Sequence, residues 1–304
     1  IVLPGEKNYS YSDGDQYYAW SPDSKWFTVD FIDKQRWVSE LGVVKADGSQ
    51  EVKNLSESGY TEGRGSWAAD GSALYFMSDR QGFRSHGSWG SQMDVYAMYL
   101  TKEAYDKFTL SKDELALVEA AKKSEDNEDG DKAKNKDKNK DEETEKVKVE
   151  IDFNNLVDRV KRLTLSSTFI QDMAVSKDGE KLYYTANRDN EVDLWELNIR
   201  EKSTKTIGKM KSGGSMVIDK EGKHLLILAD GGIMKVELSS GKMSPVGFKA
   251  EMILDQQAER AYMFEHMWRQ VQRKFYDPAL HGIDWDMYKK AYATFLPHIN
   301  NNRD

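Results

Sequence analysis

The chain has 304 residues, a formal net charge of −8 and a pI near 5.4, which argues against a polyanionic partner such as nucleic acid or an anionic membrane surface. It has no cysteine, so disulfides and thiolate metal sites are ruled out, and no apolar run approaches the roughly 18 residues a membrane-spanning helix needs. Eight Trp and fifteen Tyr, in a chain only 38% hydrophobic, fall largely in short alternating runs, the pattern of half-buried strands.

Residues Ile1 to Lys7 do not have the character of a signal peptide, and a processed or excised chain would begin in the same way. Asp13 and Asp15 read as turn residues. The first repeat unit then opens with Trp20-Ser21-Pro22-Asp23-Ser24-Lys25-Trp26-Phe27, a lead-in, a polar turn and an aromatic strand. A second strand, Leu41 to Val44, and a short last one, Val52 to Leu55, complete it. The same grammar returns at Trp67-Ala68-Ala69-Asp70-Gly71, 47 residues on from Asp23 to Asp70, with its later strand at Asp94 to Tyr99. Asp suits these turns because its carboxylate bonds nearby backbone, and Gly because it accepts positive φ.

Within the second unit, Ser78 to Gln92 is longer than a hairpin requires and mixes Arg, His, Trp and Gly. Those residue types build peptide-binding surfaces at loop ends, so Arg84, His86 and Trp89 are the candidate binding residues. The alternative is structural: Trp89 packs against a neighbouring unit and His86 caps a backbone group.

A surplus follows between Thr101 and about Asp158. Ser111 before Glu114, with Leu115, Leu117, Val118 and Ala121 behind them, predicts a short helix opened by a capping box. Lys122 to Lys148 carries nine Lys and ten Asp or Glu with no aromatic residue, so a charged, disordered insertion over about 101–158 is expected.

The third and fourth units open at Val175-Ser176-Lys177-Asp178-Gly179 and Ile218-Asp219-Lys220-Glu221-Gly222, with Asp178 and Glu221 43 residues apart. Their later strands are Asp193 to Leu197 and Ile233 to Leu238, and Asp189 and Glu191 read as turn residues. About four strands per unit at this spacing predict a mainly β fold of β-propeller blades, four of them visible in an incomplete ring.

After Lys249 the period changes. Ala261, Phe264, Trp268, Val271 and Phe275 mark an amphipathic helix with Asp255 as N-cap and Pro278 beyond its end. Trp285, Tyr288, Tyr292 and Phe295 predict a second helix over 284–295. The expected division is therefore 1–250, the blades, and 251–304, a helical segment.

Catalytic signatures are missing from the sequence. It contains no Gly-x-Ser-x-Gly elbow, no paired-His metal spacing and no phosphate loop. Gly63-Arg64-Gly65-Ser66-Trp67-Ala68 matches a dinucleotide fingerprint in spelling, but a strand follows where a helix is needed. His281 and His298 are single histidines near helix ends and lack an identifiable partner for general-base work. No cofactor and no metal are expected.

The blades with Ser78-Asp79-Arg80, the run Arg84-Ser85-His86-Gly87-Ser88-Trp89-Gly90 leading into Asp94-Val95-Tyr96-Ala97, and the insertion closing at Asp158 to Thr164 resemble tricorn-type serine peptidases. So do the final helices, from Met263-Phe264-Glu265-His266-Met267-Trp268 through Phe275-Tyr276-Asp277-Pro278 to His281-Gly282-Ile283-Asp284-Trp285. The resemblance implies a propeller that gates or guides oligopeptides, and helices that begin the first catalytic subdomain. It also implies that the catalytic Ser and His lie outside these residues, so the chain alone is expected to be inactive and no catalytic residue is assigned. The partners it implies are a peptide substrate, catalytic and PDZ portions of the same polypeptide, and a homo-oligomer. It points to the periplasm, with the cytoplasm as the alternative. A non-catalytic TolB-like propeller that docks a protein or glycan is the competing reading, and the aromatic helices argue against it. A prolyl-oligopeptidase-type enzyme would need an α/β-hydrolase core, which these helices do not begin.

Overall fold

The computed structural model describes residues 2–8, 16–33, 38–84, 90–130, 147–188 and 191–301. The chain divides into two compact units, Ile1–Val246 and Gly247–Asp304.

The first unit consists of four antiparallel four-stranded sheets, each built from strands consecutive in sequence, which is the layout of propeller blades. Blade 1 holds β1 (Tyr18–Trp20), β2 (Trp26–Phe31), β3 (Glu40–Lys45) and β4 (Lys53–Asn54). Blade 2 holds β5 (Glu62–Trp67), β6 (Ala73–Ser78), β7 (Asp94–Tyr99) and β8 (Val160–Arg162). Blade 3 holds β9 (Ile170–Val175), β10 (Lys181–Arg188), β11 (Glu191–Asn198) and β12 (Ser203–Met210). Blade 4 holds β13 (Ser215–Ile218), β14 (His224–Ala229), β15 (Gly232–Glu237) and β16 (Met243–Val246).

The predicted Asp turns join the first two strands of each blade. The carboxylate Oδ1 accepts a backbone N–H two to four residues on: Asp23 from Lys25 N (3.1 Å), Asp70 from Ser72 N (3.0 Å), Asp178 from Glu180 N (3.0 Å) and Asp219 from Lys223 N (2.7 Å). Gly71, Gly179 and Gly222 occupy the left-handed region these turns need, and in blade 1 Ser24 takes that conformation at φ 58.

Strand periodicity explains how blade 2 comes to be buried on both sides. Leu74, Phe76, Tyr96 and Met98 pack with Leu41 and Val43 of blade 1. The alternate residues Tyr75, Met77, Val95 and Ala97 pack with Met173, Leu182 and Tyr184 of blade 3. Blade 4 meets blade 3 through Leu225, Ile227 and Val236 against Tyr183 and Leu194. The opposite face of blade 1 is lined by Val29, Phe31 and Val44, with Val2 and Leu3 laid on it.

The surplus of blade 2 begins with α1 (Lys102–Thr109) and α2 (Lys112–Gly130). Thr101 Oγ1 caps α1 by accepting from Ala104 N, and the ring of Phe108 stacks on Tyr99 at 4.5 Å. The Ser111–Glu114 capping box forms at the head of α2, with Ser111 N donating to Glu114 Oε2 at 2.8 Å. Of the insertion expected to be disordered over about 101–158, these two stretches are therefore helical, and Val149, Ile151, Phe153 and Leu156 pack with blades 1 and 2. Val149 is buried between blades 1 and 2, and its N–H donates to Asp23 Oδ2 at 3.1 Å. Ile151 and Phe153 pack beside it, and Lys53 Nζ stands 3.5 Å over the Phe153 ring. The most charged stretch, 131–146, lies outside the described residues.

The second unit holds α3 (Gln256–Lys274) and α4 (Trp285–Ala293). Asp255 caps α3 through Gln257 N and Ala258 N, and Asp284 caps α4 through Met287 N. Helix α4 ends two residues before the expected limit at Phe295, which leads into a 3₁₀ turn over Leu296–His298. Among the described residues no helix is long and apolar enough to cross a membrane.

Candidate functional site

Among the described residues, three carboxylate–guanidinium pairs gather at one end of blade 2, where β5 and β7 begin and β6 and β8 end. Ser78-Asp79-Arg80 supplies one partner to each of two of them. The Glu62 side chain is fully buried and accepts from Ser78 Oγ at 2.9 Å and from Arg80 Nε. Asp79 Oδ1 accepts from Arg84 Nη2 at 2.6 Å and from Thr61 N at 3.0 Å. Asp94, also fully buried, accepts from Arg162 Nη2 at 2.7 Å, Thr164 Oγ1 at 2.6 Å and Ser167 Oγ at 2.7 Å.

Each buried carboxylate thus has a guanidinium partner, the condition under which such charges are tolerated inside a protein. The three arginines are only partly covered, with 23% of the Arg80, 42% of the Arg84 and 28% of the Arg162 side chain exposed. Phe83 and Tyr60 stand exposed beside them, and the Arg84 guanidinium lies 5.5 Å over the Tyr60 ring. A rim of exposed aromatic rings and oriented guanidinium groups can hold backbone carbonyls, carboxylates and side-chain faces of a peptide.

Of the residues singled out in the sequence, Arg84 belongs to this rim, while His86 and Trp89 lie outside the described residues. So do Asp13, Asp15 and Asp189, whereas Glu191 opens β11 and pairs with Lys209. Glu62, Asp94 and Arg162 were missed, because the donors to the two carboxylates sit 16 to 73 residues away from them in sequence and no local pattern joins them.

A second group lies two residues along β5 from Glu62. Tyr17, just ahead of β1, lies near Arg64 in β5 and Asp172 in β9, with Asp30 of β2 close by. Burial pushes the Asp30 carboxyl up to about 7, against the opposing pull of the Arg64 N–H and guanidinium. Burial likewise raises Asp172, and raises Tyr17 to about 12 with help from both carboxylates. The dinucleotide-like Gly63-Arg64-Gly65 lies within β5, which removes that reading.

In the second unit, His281 is held between two neighbours. Its Nε2 is 2.6 Å from Tyr276 Oη, and its Nδ1 is 3.4 Å from Asp277 Oδ2. His281 N also donates to Asp277 Oδ2 at 2.8 Å, so the ring belongs to the turn that follows α3. His298 lies in the 3₁₀ turn after α4.

Fold and site together define a β-propeller with an arginine-rich rim on its second blade, followed by a helical unit. Residues 256–304 match the family model described as Tricorn protease C1 domain. The crystal structure of the tricorn protease superposes with a TM-score of 0.63 at 10% identity, covering 94% of this chain and 27% of that one. Through residues 256–304 the chain is thus related to tricorn-type proteases, and it spans about a quarter of the length of that solved structure, whose fold it shares. Hydrazine synthase from Kuenenia stuttgartiensis shares the propeller fold at a TM-score of 0.50 and 11% identity, over 78% of this chain and 33% of that one. TolB from Acinetobacter baumannii aligns more loosely, at a TM-score of 0.40 and 12% identity, over 77% of this chain and 41% of its own. No curated protein matches the sequence.

Proposed function

We propose that this chain provides the peptide-guiding propeller and the opening helices of the C1 subdomain of a tricorn-like serine peptidase that degrades oligopeptides. The observation that carries the proposal is the order of parts: a propeller directly followed, from residue 256, by a match to the tricorn protease C1 domain. The rim of Arg80, Arg84 and Arg162 beside Tyr60 and Phe83 supports it, since these groups suit a peptide of mixed composition. The remaining catalytic and PDZ portions would be other parts of one polypeptide, assembled as a homo-oligomer in the periplasm. No residue among the 304 is assigned to peptide-bond cleavage.

Two assays on the chain test the proposal. Equilibrium binding of a mixed oligopeptide pool, with bound species identified by mass spectrometry, should show retention that Arg84→Ala weakens severalfold. Incubation of the same pool should yield no cleavage products. Failure to retain peptides would remove the guiding role, and cleavage would show that the chemistry lies within these residues.

A further inference from the structure

Arg64 is built into blade 2 in a way that the rim network does not require. It lies in the first strand of its blade at φ 58, a conformation that L residues rarely adopt, and the β5–β6 register shifts around it between Gly63 and Ser66. Such bulges re-aim a side chain. The flanking glycines leave no room for substitution. A Cβ on Gly63 would stand 2.6 Å from Asp30 Oδ2, and one on Gly65 2.5 Å from Leu41 Cδ1. Asp30 fixes the bulge, its two oxygens accepting from Arg64 N at 3.0 and 3.2 Å.

The nearby carboxylates are thereby engaged with backbone. Asp30 holds Arg64 N, and Asp172 accepts from Met216 N at 2.8 Å and Met173 N at 2.9 Å. The Arg64 side chain, by contrast, is exposed. Among the described residues its guanidinium forms no ion pair, and its one ring contact is the face of Tyr17 at 5.2 Å. Its planar array of donors suits a carboxylate bidentately. Two acidic neighbours weigh against a dianion such as phosphate, and burial, which raises both of them, lessens their repulsion of a single negative charge.

We infer that Arg64 anchors one carboxylate of a bound peptide, either its C-terminal group or an acidic side chain, at the first strand of blade 2. This rests on the peptide-guiding role proposed above. The test is calorimetric titration of the chain with three N-acetylated hexapeptides of one neutral sequence: the free acid, the C-terminal amide, and the amide with one Glu in place of a neutral residue. At least one carboxylate-bearing peptide should bind about tenfold more tightly than the neutral amide, and which one does so identifies the source of the group. Arg64→Gln should abolish that preference while leaving affinity for the neutral amide unchanged. Equal binding of all three by the unmodified chain would overturn the anchor and leave peptide guidance standing, a comparison that does not depend on how the variant folds. Binding of none would overturn both.

Discussion

Trp268 and Trp285 face each other with ring centroids 4.5 Å apart, and each indole Nε1–H donates to the other residue's carbonyl oxygen, at 3.2 and 3.3 Å. The pair ties α3 to α4 by stacking and by two reciprocal hydrogen bonds. Trp268 is one of only two buried hydrophobic residues among the described part of the second unit, the other being Leu280. Trp268→Ala should therefore cost ~3–5 kcal/mol in the helical unit. Thermal scans should show loss of the helical signal near 222 nm at a lower temperature, with the β contribution unchanged. Trp268→Phe, which keeps the ring but not the donor, should fall between the two.

Much of the fold is legible in the sequence because its causes are local. The Asp–Gly turns, the Asp255 cap and the Ser111–Glu114 box each depend on residues within a few positions of one another. The rim is different. Glu62 meets Arg80, and Asp94 meets Arg162, only after strands have paired, so nothing local announces them. Arg64 was legible only as a false fingerprint, since spacing cannot distinguish a bulged strand from a phosphate loop. The return of the insertion did carry a signal. Val147, Val149, Ile151 and Phe153 alternate strictly, the mark of an extended segment with one buried face, but the charged residues before them mask it.

That alternation separates the effects of a segment replacement and a point substitution. Replacing 131–146 with a short Gly-Ser joint should leave the melting temperature within about 2 °C of the parent, because a mixed charge run has little apolar surface to bury. Val149→Ala should instead lower stability by ~1–3 kcal/mol, since its side chain fills the seam between blades 1 and 2. Equilibrium urea unfolding of both variants checks the contrast. Equal effects would mean that the charged run contributes as much as the packed arm.

Asp30 should make propeller stability depend on pH. Its folded pKa of about 7 lies above the ordinary value of 3.8, so the folded state holds the proton more tightly than the unfolded chain. Its contribution is then greatest below about pH 4 and is lost as the pH rises to about 7. Asp172 is shifted in the same direction, Arg64 opposes both shifts, and Tyr17 is pushed up by both acids. Asp30→Asn keeps an oxygen for the Arg64 N–H but cannot titrate. Between pH 4.5 and 7.5 the stability of the parent relative to this variant should fall by ~2–4 kcal/mol. Denaturant titrations across that range give the difference directly, and parallel curves would place the Asp30 carboxyl in ordinary solvent.

The rim allows structural and recognition roles to be separated by two substitutions at neighbouring ion pairs. Asp94 is fully buried and accepts from Arg162, Thr164 and Ser167, so Asp94→Ala strands three donors and should cost ~3–5 kcal/mol. Arg84 keeps 42% of its side chain exposed, and its pair with Asp79 is partly screened by water. Arg84→Ala should therefore change stability by no more than ~1 kcal/mol, while weakening peptide binding severalfold. Urea unfolding and peptide titration on the same two proteins decide the matter. If Arg84→Ala instead destabilised the blade as much as Asp94→Ala does, Arg84 would be part of the framework, and recognition at this rim would have to rest on Arg80, Arg162 and the exposed rings of Tyr60 and Phe83.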